Sequence, residues 1–216
     1  MLLQDGIGTM IRGALHVEDE AFAPLLICAN LQTETSPDSE SGDDEQLALG
    51  RCAGLLALWR EQRWPVAHLR RIARPSWFAQ QPGRPDWIER FKPRPGELTF
   101  EHALPSAFSS TRFAEYARNV RPSPNFLIGC ALDETILATA IDGYHRGHRF
   151  YIVEDAVLCM PRTKTPSSPA AHRNTVIHVL QVFAERVRSE TVITPFSPGR
   201  PGDTLTAHSR GGRSSQ

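Results

Sequence analysis

The segment IGCALDETILATA, Ile128 to Ala140, runs from an apolar stretch through a polar turn into a helical pattern. Enzymes with alternating strands and helices place reactive groups at such junctions, and the residue expected to face a pocket here is Thr135. Two other polar residues close apolar runs of strand length: Asn30 ends PLLICAN and His102 ends ELTFEH. A hydroxyl, an imidazole and an amide can do one of two things together. The imidazole can act as base for the hydroxyl while the amide orients the ring. Alternatively, the three form a neutral hydrogen-bonded network that serves no catalysis. A threonine hydroxyl ionises far above neutral pH, and a histidine is mostly neutral at pH 7, so the neutral network is the expected reading.

The elements that must position these groups follow from periodicity. Strands are expected over residues 24–30, 65–69, 97–102, 125–130 and 149–155, and the series closes with TVIT, residues 191–194. Helical spacing covers 45–63, 109–120, 133–147 and 168–190, the last as one long amphipathic helix. Short, fully apolar strands separated by helices imply a parallel sheet covered on both faces. Sites in such sheets form beyond the carboxyl ends of the strands, where Asn30, His102 and the Cys130–Thr135 turn all fall.

The expected folded domain spans 21–196, with an N-terminal extension over 1–20 and a disordered tail over 197–216. The acidic stretch 33–46 reads as a solvated loop, or more pointedly as a lid. The Pro- and Arg-rich stretch 70–96 reads as a long excursion. Its Trp77, Phe78 and Trp87 could form a flap beside the pocket or a subunit interface.

Lys+Arg and Asp+Glu balance at 24 each, so charge gives no sign of nucleic acid as a partner. No apolar run reaches bilayer length, and the N-terminus lacks the layout of a signal peptide, so a soluble cytoplasmic protein is expected. Cys28, Cys52, Cys130 and Cys159 lack CxxC or zinc-like spacing and read as buried thiols rather than disulfides or metal ligands. Asp142 and Asp155 read as structural. His145, His148, His172 and His178 read as surface or helix-face residues.

Several strings occur in the order found in one family. PLLICANLQ, GLLALWREQRWPVAHL, PRPGELTFEHALPSAFSST, FLIGCALDETILATAIDGYHRGHRFYIVEDAV and HRNTVIHVLQVF resemble the isochorismatase-like cysteine hydrolases over roughly Pro24 to Thr194. The resemblance implies an α/β fold, a three-layer αβα sandwich around a Rossmann-like parallel sheet of about six strands. It also implies assembly into dimers or larger oligomers. Enzymes of the family hydrolyse amides such as nicotinamide or N-carbamoyl compounds, or the vinyl ether of isochorismate.

The family's amidases use an Asp to move a proton, a Lys to lower a thiol pKa, and a Cys whose thiolate attacks the carbonyl. On the matching strings those positions correspond to Asn30, His102 and Thr135. Gln32, Ser106, Phe108, Cys130, Ala131 and Leu132 are expected around the pocket. The nicotinamidase branch binds zinc through an Asp and two His after the second strand. The matching segment here, SWFAQQPGRPDWIERF, has no His, so neither metal nor other cofactor is expected.

The function expected from these substitutions is that of a pseudoenzyme whose pocket still binds a small molecule or a partner protein. Such a protein could be a homo-oligomer or pair with an active paralogue. The alternatives are a hydrolase of a C–N or vinyl-ether bond with chemistry rebuilt around His102 and Thr135, or a purely structural subunit. Cys130 and Cys28 are weaker candidates for a replacement nucleophile.

Overall fold

The computed structural model describes residues 23–33, 43–72, 85–119, 124–159 and 168–194. The expected extension 1–20, the tail 197–216, most of the acidic stretch, and Trp77 and Phe78 lie outside them. The described chain runs β1 (Leu25–Ala29), α1 (Asp43–Glu61), β2 (Val66–Arg71), β3 (Leu98–His102), α2 (Thr111–Asn119), β4 (Asn125–Cys130), α3 (Leu137–His145), β5 (Phe150–Leu158), α4 (Pro169–Leu180), β6 (Glu185–Val187) and α5 (Ser189–Ile193). Short 3-10 turns at Glu89–Phe91 and Ala107–Ser109 flank β3.

The sheet has six strands in the order β3-β2-β1-β4-β5-β6, and every pairing is parallel. Strand order reverses between β1 and β4, and in open parallel sheets ligands bind outside the carboxyl ends at such a point. Alternation along the strands feeds two cores. Leu26, Cys28, Phe126, Ile128 and Tyr151 pack with Leu55 and Trp59 of α1. Leu25, Ile27, Leu127 and Ile152 pack with Phe113 of α2, Ala140 of α3 and Leu180 of α4. The expected three-layer αβα arrangement is therefore present.

Helix α1 starts at Asp43, so residues 43–46 of the acidic stretch are helical rather than loop. Asp43, Asp44 and Glu45 sit in its first turn, where carboxylates complement the positive end of the helix dipole. Trp59 is fully buried, donates its indole N–H to the Pro24 carbonyl at 2.9 Å, and meets Phe126 edge-on. Just before β3, Glu97 accepts a bidentate pair from Arg60 of α1, at 2.7 and 2.9 Å, and lies 2.8 Å from His68 Nε2 of β2. Burial opposes ionisation of Glu97, yet the bonds from Arg60, the Arg94 N–H and His68 hold its carboxyl at about 2. Burial also keeps His68 toward its neutral form, so the ring donates Nε2–H to a carboxylate already charge-balanced by Arg60.

Three further expectations need correction. The stretch 168–190 is not one helix: α4 ends at Leu180, whose carbonyl accepts from Phe183 and Ala184 in the following turn. The sixth strand is Glu185–Val187, paired with Tyr151–Val153, and TVIT falls mostly in α5. Asp155 secures this ending, since its carboxylate accepts from both the backbone N–H and hydroxyl of Ser189 at 2.8 Å. Asp155 thus has the structural role expected of it. The stretch 70–96 is also not wholly an excursion. Trp87 is buried edge-on to His68 with the Arg70 guanidinium over its ring, and Phe91 is fully buried in the α1-side core.

Glycine 143 shows how tightly α3 sits on the sheet, because a Cβ there would stand 2.0 Å from a ring atom of Phe150. We expect Gly143→Ala to lower stability by about 2–3 kcal/mol. Adding Phe150→Leu should recover part of that loss relative to Phe150→Leu alone. Urea unfolding midpoints of the two single variants and the double variant check both statements.

Candidate functional site

The carboxyl ends of β1 and β4 are held together by close backbone approach. Gly129 of β4 has φ +105, and a Cβ on it would lie 2.2 Å from the Ala29 carbonyl oxygen. Only glycine allows both that conformation and that contact. One residue beyond β1, Asn30 takes the left-handed conformation with φ 48, which asparagine tolerates better than most residues. Its N–H remains tied to the Leu69 carbonyl at 3.0 Å. Beyond β4, Leu132–Ile136 form a π-helical turn before α3, an irregularity often found at functional sites.

These features bring together the three residues singled out from three strand ends. Asn30 Nδ2 donates to Thr135 Oγ1 at 2.9 Å. Asn30 Oδ1 lies 2.8 Å from His102 Nε2, and His102 Nδ1 lies 2.7 Å from the Leu104 carbonyl. All three side chains are buried, at 1% exposure for Asn30 and Thr135 and 2% for His102. The order is therefore His102–Asn30–Thr135, with the amide in the middle. The Leu104 carbonyl, rather than Asn30, takes the place of the orienting group on the imidazole.

The direction of this chain is tied to one proton. With the amide oxygen facing Nε2, acceptors stand at both ring nitrogens, an arrangement that is satisfied only when the ring holds both protons. Burial pushes its pKa below the usual value; the Leu104 carbonyl and Glu134 oppose that shift, and Arg71 adds to it. Once Nε2 loses its proton it becomes an acceptor, and the Asn30 amide satisfies it by turning over, which presents the amide oxygen to the Thr135 hydroxyl. In both directions the imidazole contacts the amide and not the hydroxyl.

The expected lining residues have more varied places. Gln32 is buried and clamps β1 to β2: its Oε1 accepts from the Arg71 N–H at 2.8 Å and its Nε2 donates to the Arg71 and Pro85 carbonyls at 3.1 Å. Ser106 caps the following 3-10 turn by accepting from the Phe108 N–H. Phe108 packs edge-on to Phe113 and stacks on His148. Leu132 is buried in the same core, and Cys130 in the core on the other side of the sheet. Burial drives the Cys130 thiol up to about 12, and burial raises the Cys28 thiol as well. Neither is a thiolate near neutral pH. Ala131 uses its carbonyl to accept from Glu134 and Ile136 within the turn.

Three polar contacts at the site were not expected from the sequence. Arg71 pairs with Glu134 at 2.7 Å across the strand ends. Thr139 is fully buried and accepts from the Ala107 N–H, tying α3 to the segment after β3. His172 reaches from α4 to Asp133 at 3.0 Å. The sequence offered one signal for Arg71, a polar residue ending an apolar strand like Asn30. It offered none for pairs 63 and 39 residues apart.

Known proteins agree with this architecture. The family described as isochorismatase domain matches residues 24–191. The structure of an isochorismatase from Pseudomonas putida superposes with a TM-score of 0.67 at 20% identity, covering 84% of this chain and 97% of that one. A cysteine hydrolase from Pseudomonas syringae gives 0.67 at 17% identity, covering 80% and 92%. An N-carbamoylsarcosine amidase from Thermoplasma acidophilum gives 0.59 at 20% identity, covering 78% and 98%. Among the described residues, no helix is long and apolar enough to cross a membrane.

The lowered His102 pKa has a sign that can be tested. A folded pKa below the unfolded value means that the unfolded chain binds the extra proton first, so stability is held above about pH 6.5 and falls as pH drops toward the folded pKa. We expect His102→Gln to flatten this slope in urea midpoints measured from pH 7.5 down to pH 5. The His102 ring in the folded wild type should titrate below 6.5 by NMR; an unshifted midpoint would refute the burial argument.

Proposed function

The chain belongs to the isochorismatase family, and from that premise we propose that it is a catalytically silent member whose strand-end crevice binds a small molecule. One observation carries the proposal: the only base in the buried chain, His102, is bonded to Asn30 and not to Thr135. An amide between base and hydroxyl can pass hydrogen bonds along but takes no proton at neutral pH. The family's Asp, Lys and Cys positions correspond, on this reading, to Asn30, His102 and Thr135. The acid that moves the proton, the fixed cation and the thiolate would then all be missing. The buried Cys130 thiol, held at about 12, does not replace the nucleophile.

Recognition falls to the groups that remain. The amide, hydroxyl and imidazole suit a neutral polar ligand, and Arg71 suits an anionic end. Self-association, as a homo-oligomer or with an active paralogue, belongs to the same proposal and is read by light scattering of the purified chain, alone and after mixing.

The discriminating experiment is hydrolysis by wild type beside His102→Ala and Thr135→Ala. The panel holds nicotinamide, N-carbamoyl amino acids, isochorismate and activated esters, with products read by mass spectrometry. We expect no turnover above a blank without protein. We also expect at least one panel compound or product to raise the thermal midpoint, since a ligand of the folded state alone must stabilise it. Turnover in wild type that both substitutions abolish would instead establish an active hydrolase built on His102 and Thr135.

A further inference from the structure

The turn that carries Thr135 toward β1 carries Asp133 toward the opposite side. There Asp133 Oδ2 lies 3.0 Å from His172 Nε2 of α4. Cys159, directly after β5, completes a cluster in which a carboxylate oxygen, the thiol sulfur and an imidazole nitrogen all lie within 4.8 Å of one another. A hydrogen-bonded Asp–His pair alone would account for the first distance. It does not account for the sulfur placed beside both partners.

Together the three residues form a coherent donor set. Carboxylate, thiolate and imidazole are the three protein donor types of zinc centres, bonding at about 2.0–2.3 Å, so that neighbouring donors in a tetrahedral shell stand about 3–4 Å apart. The Asp133–His172 separation already meets that spacing, and modest closure around an ion brings in the sulfur. Two anionic donors would neutralise a divalent cation. A sulfur donor selects zinc-like ions over magnesium or calcium, which prefer all-oxygen shells. The Asp133 side chain is 4% exposed while that of His172 is 28% exposed, so the cluster is mostly enclosed yet reachable from solvent.

We propose that Asp133, Cys159 and His172 form a three-ligand site for Zn²⁺ or a similar thiophilic divalent ion, with a fourth position open to water or a small ligand. This departs from the expectation of no metal, which weighed only close sequence spacing and the segment after β2. The three donors are 13 to 39 residues apart along the chain and meet only through the sheet.

The test uses the full chain, stripped with chelator and then dialysed, and Zn²⁺ and Co²⁺ as probes. Calorimetry should show one Zn²⁺ per chain. Co²⁺ should give a thiolate charge-transfer band in the near ultraviolet together with visible bands of tetrahedral strength. Cys159→Ser should abolish the charge-transfer band. Cys159→Ser and His172→Gln should each weaken Zn²⁺ binding at least about tenfold, the scale that even outer-shell partners can carry. They should also remove the Zn²⁺-induced rise in thermal midpoint. Both positions are partly solvent-accessible, so these variants keep the test decisive should Asp133→Asn fail to fold. Wild type that takes up no Zn²⁺, or that binds it equally well after either substitution, would overturn the site.

Discussion

The site depends first on how closely β1 and β4 approach at the point where strand order reverses. Gly129 allows that approach, since any side chain there would run into the Ala29 carbonyl. The contact brings the ends of the two strands together, so that Asn30 leaving one and Thr135 in the turn after the other meet at 2.9 Å. His102 comes from β3, two strands away from β1, and its ring is fixed by the Leu104 carbonyl. Without the glycine the strands would separate, and the buried amide would lose its hydroxyl partner while still shielded from water. An unpaired polar group in that position costs more than the hydrogen bond itself contributes.

Energetics also bear on the chemistry. Three buried side chains that can all be neutral form a floor that costs little to desolvate. A carboxylate, an ammonium and a thiolate in the same place would each carry a penalty of several kcal/mol, recovered only with near-ideal pairing. A hydrolase accepts such a penalty because charged groups do the proton transfer. On the proposed reading this chain has moved the other way and trades reactivity for a quieter site. A partly buried, bidentate charge pair lies elsewhere: Glu97 with Arg60 joins α1 to the start of β3 and supports the scaffold.

Much of this architecture was legible because a parallel sheet writes itself as fully apolar runs. LLICA, NFLIGC and the FYIVED part of the fifth strand could be read without knowing their partners, while the run of that strand on to Leu158 was not read. The misreading at residues 168–190 has a physical cause. VLQVFAERVRSE keeps a helical period through the turn, and only the edge of β5 and the carboxylate of Asp155 divert the chain into a strand and a new helix. Tertiary pairing overrode local preference there. The ordering of the site was likewise invisible, because strand ends reveal which residues converge but not which one sits in the middle. That Asn30 separates His102 from Thr135 follows from a left-handed backbone at Asn30 that no periodicity reports.

The π-helical turn after β4 connects the two clusters at this edge of the sheet. Residues two apart in a helical turn point to roughly opposite sides. Thr135 therefore looks back toward β1, and Asp133 looks out toward His172 on α4. Any tie on Asp133 restrains the same short segment that aims the Thr135 hydroxyl. A bridge from Asp133 to α4 and the end of β5 would hold that turn from outside, while Asn30 holds it from inside. The two clusters are thus mechanically coupled through a five-residue segment, whatever occupies either of them. An ion at the outer cluster would act on the inner one by narrowing the positions open to Thr135, without contributing any group to the crevice itself.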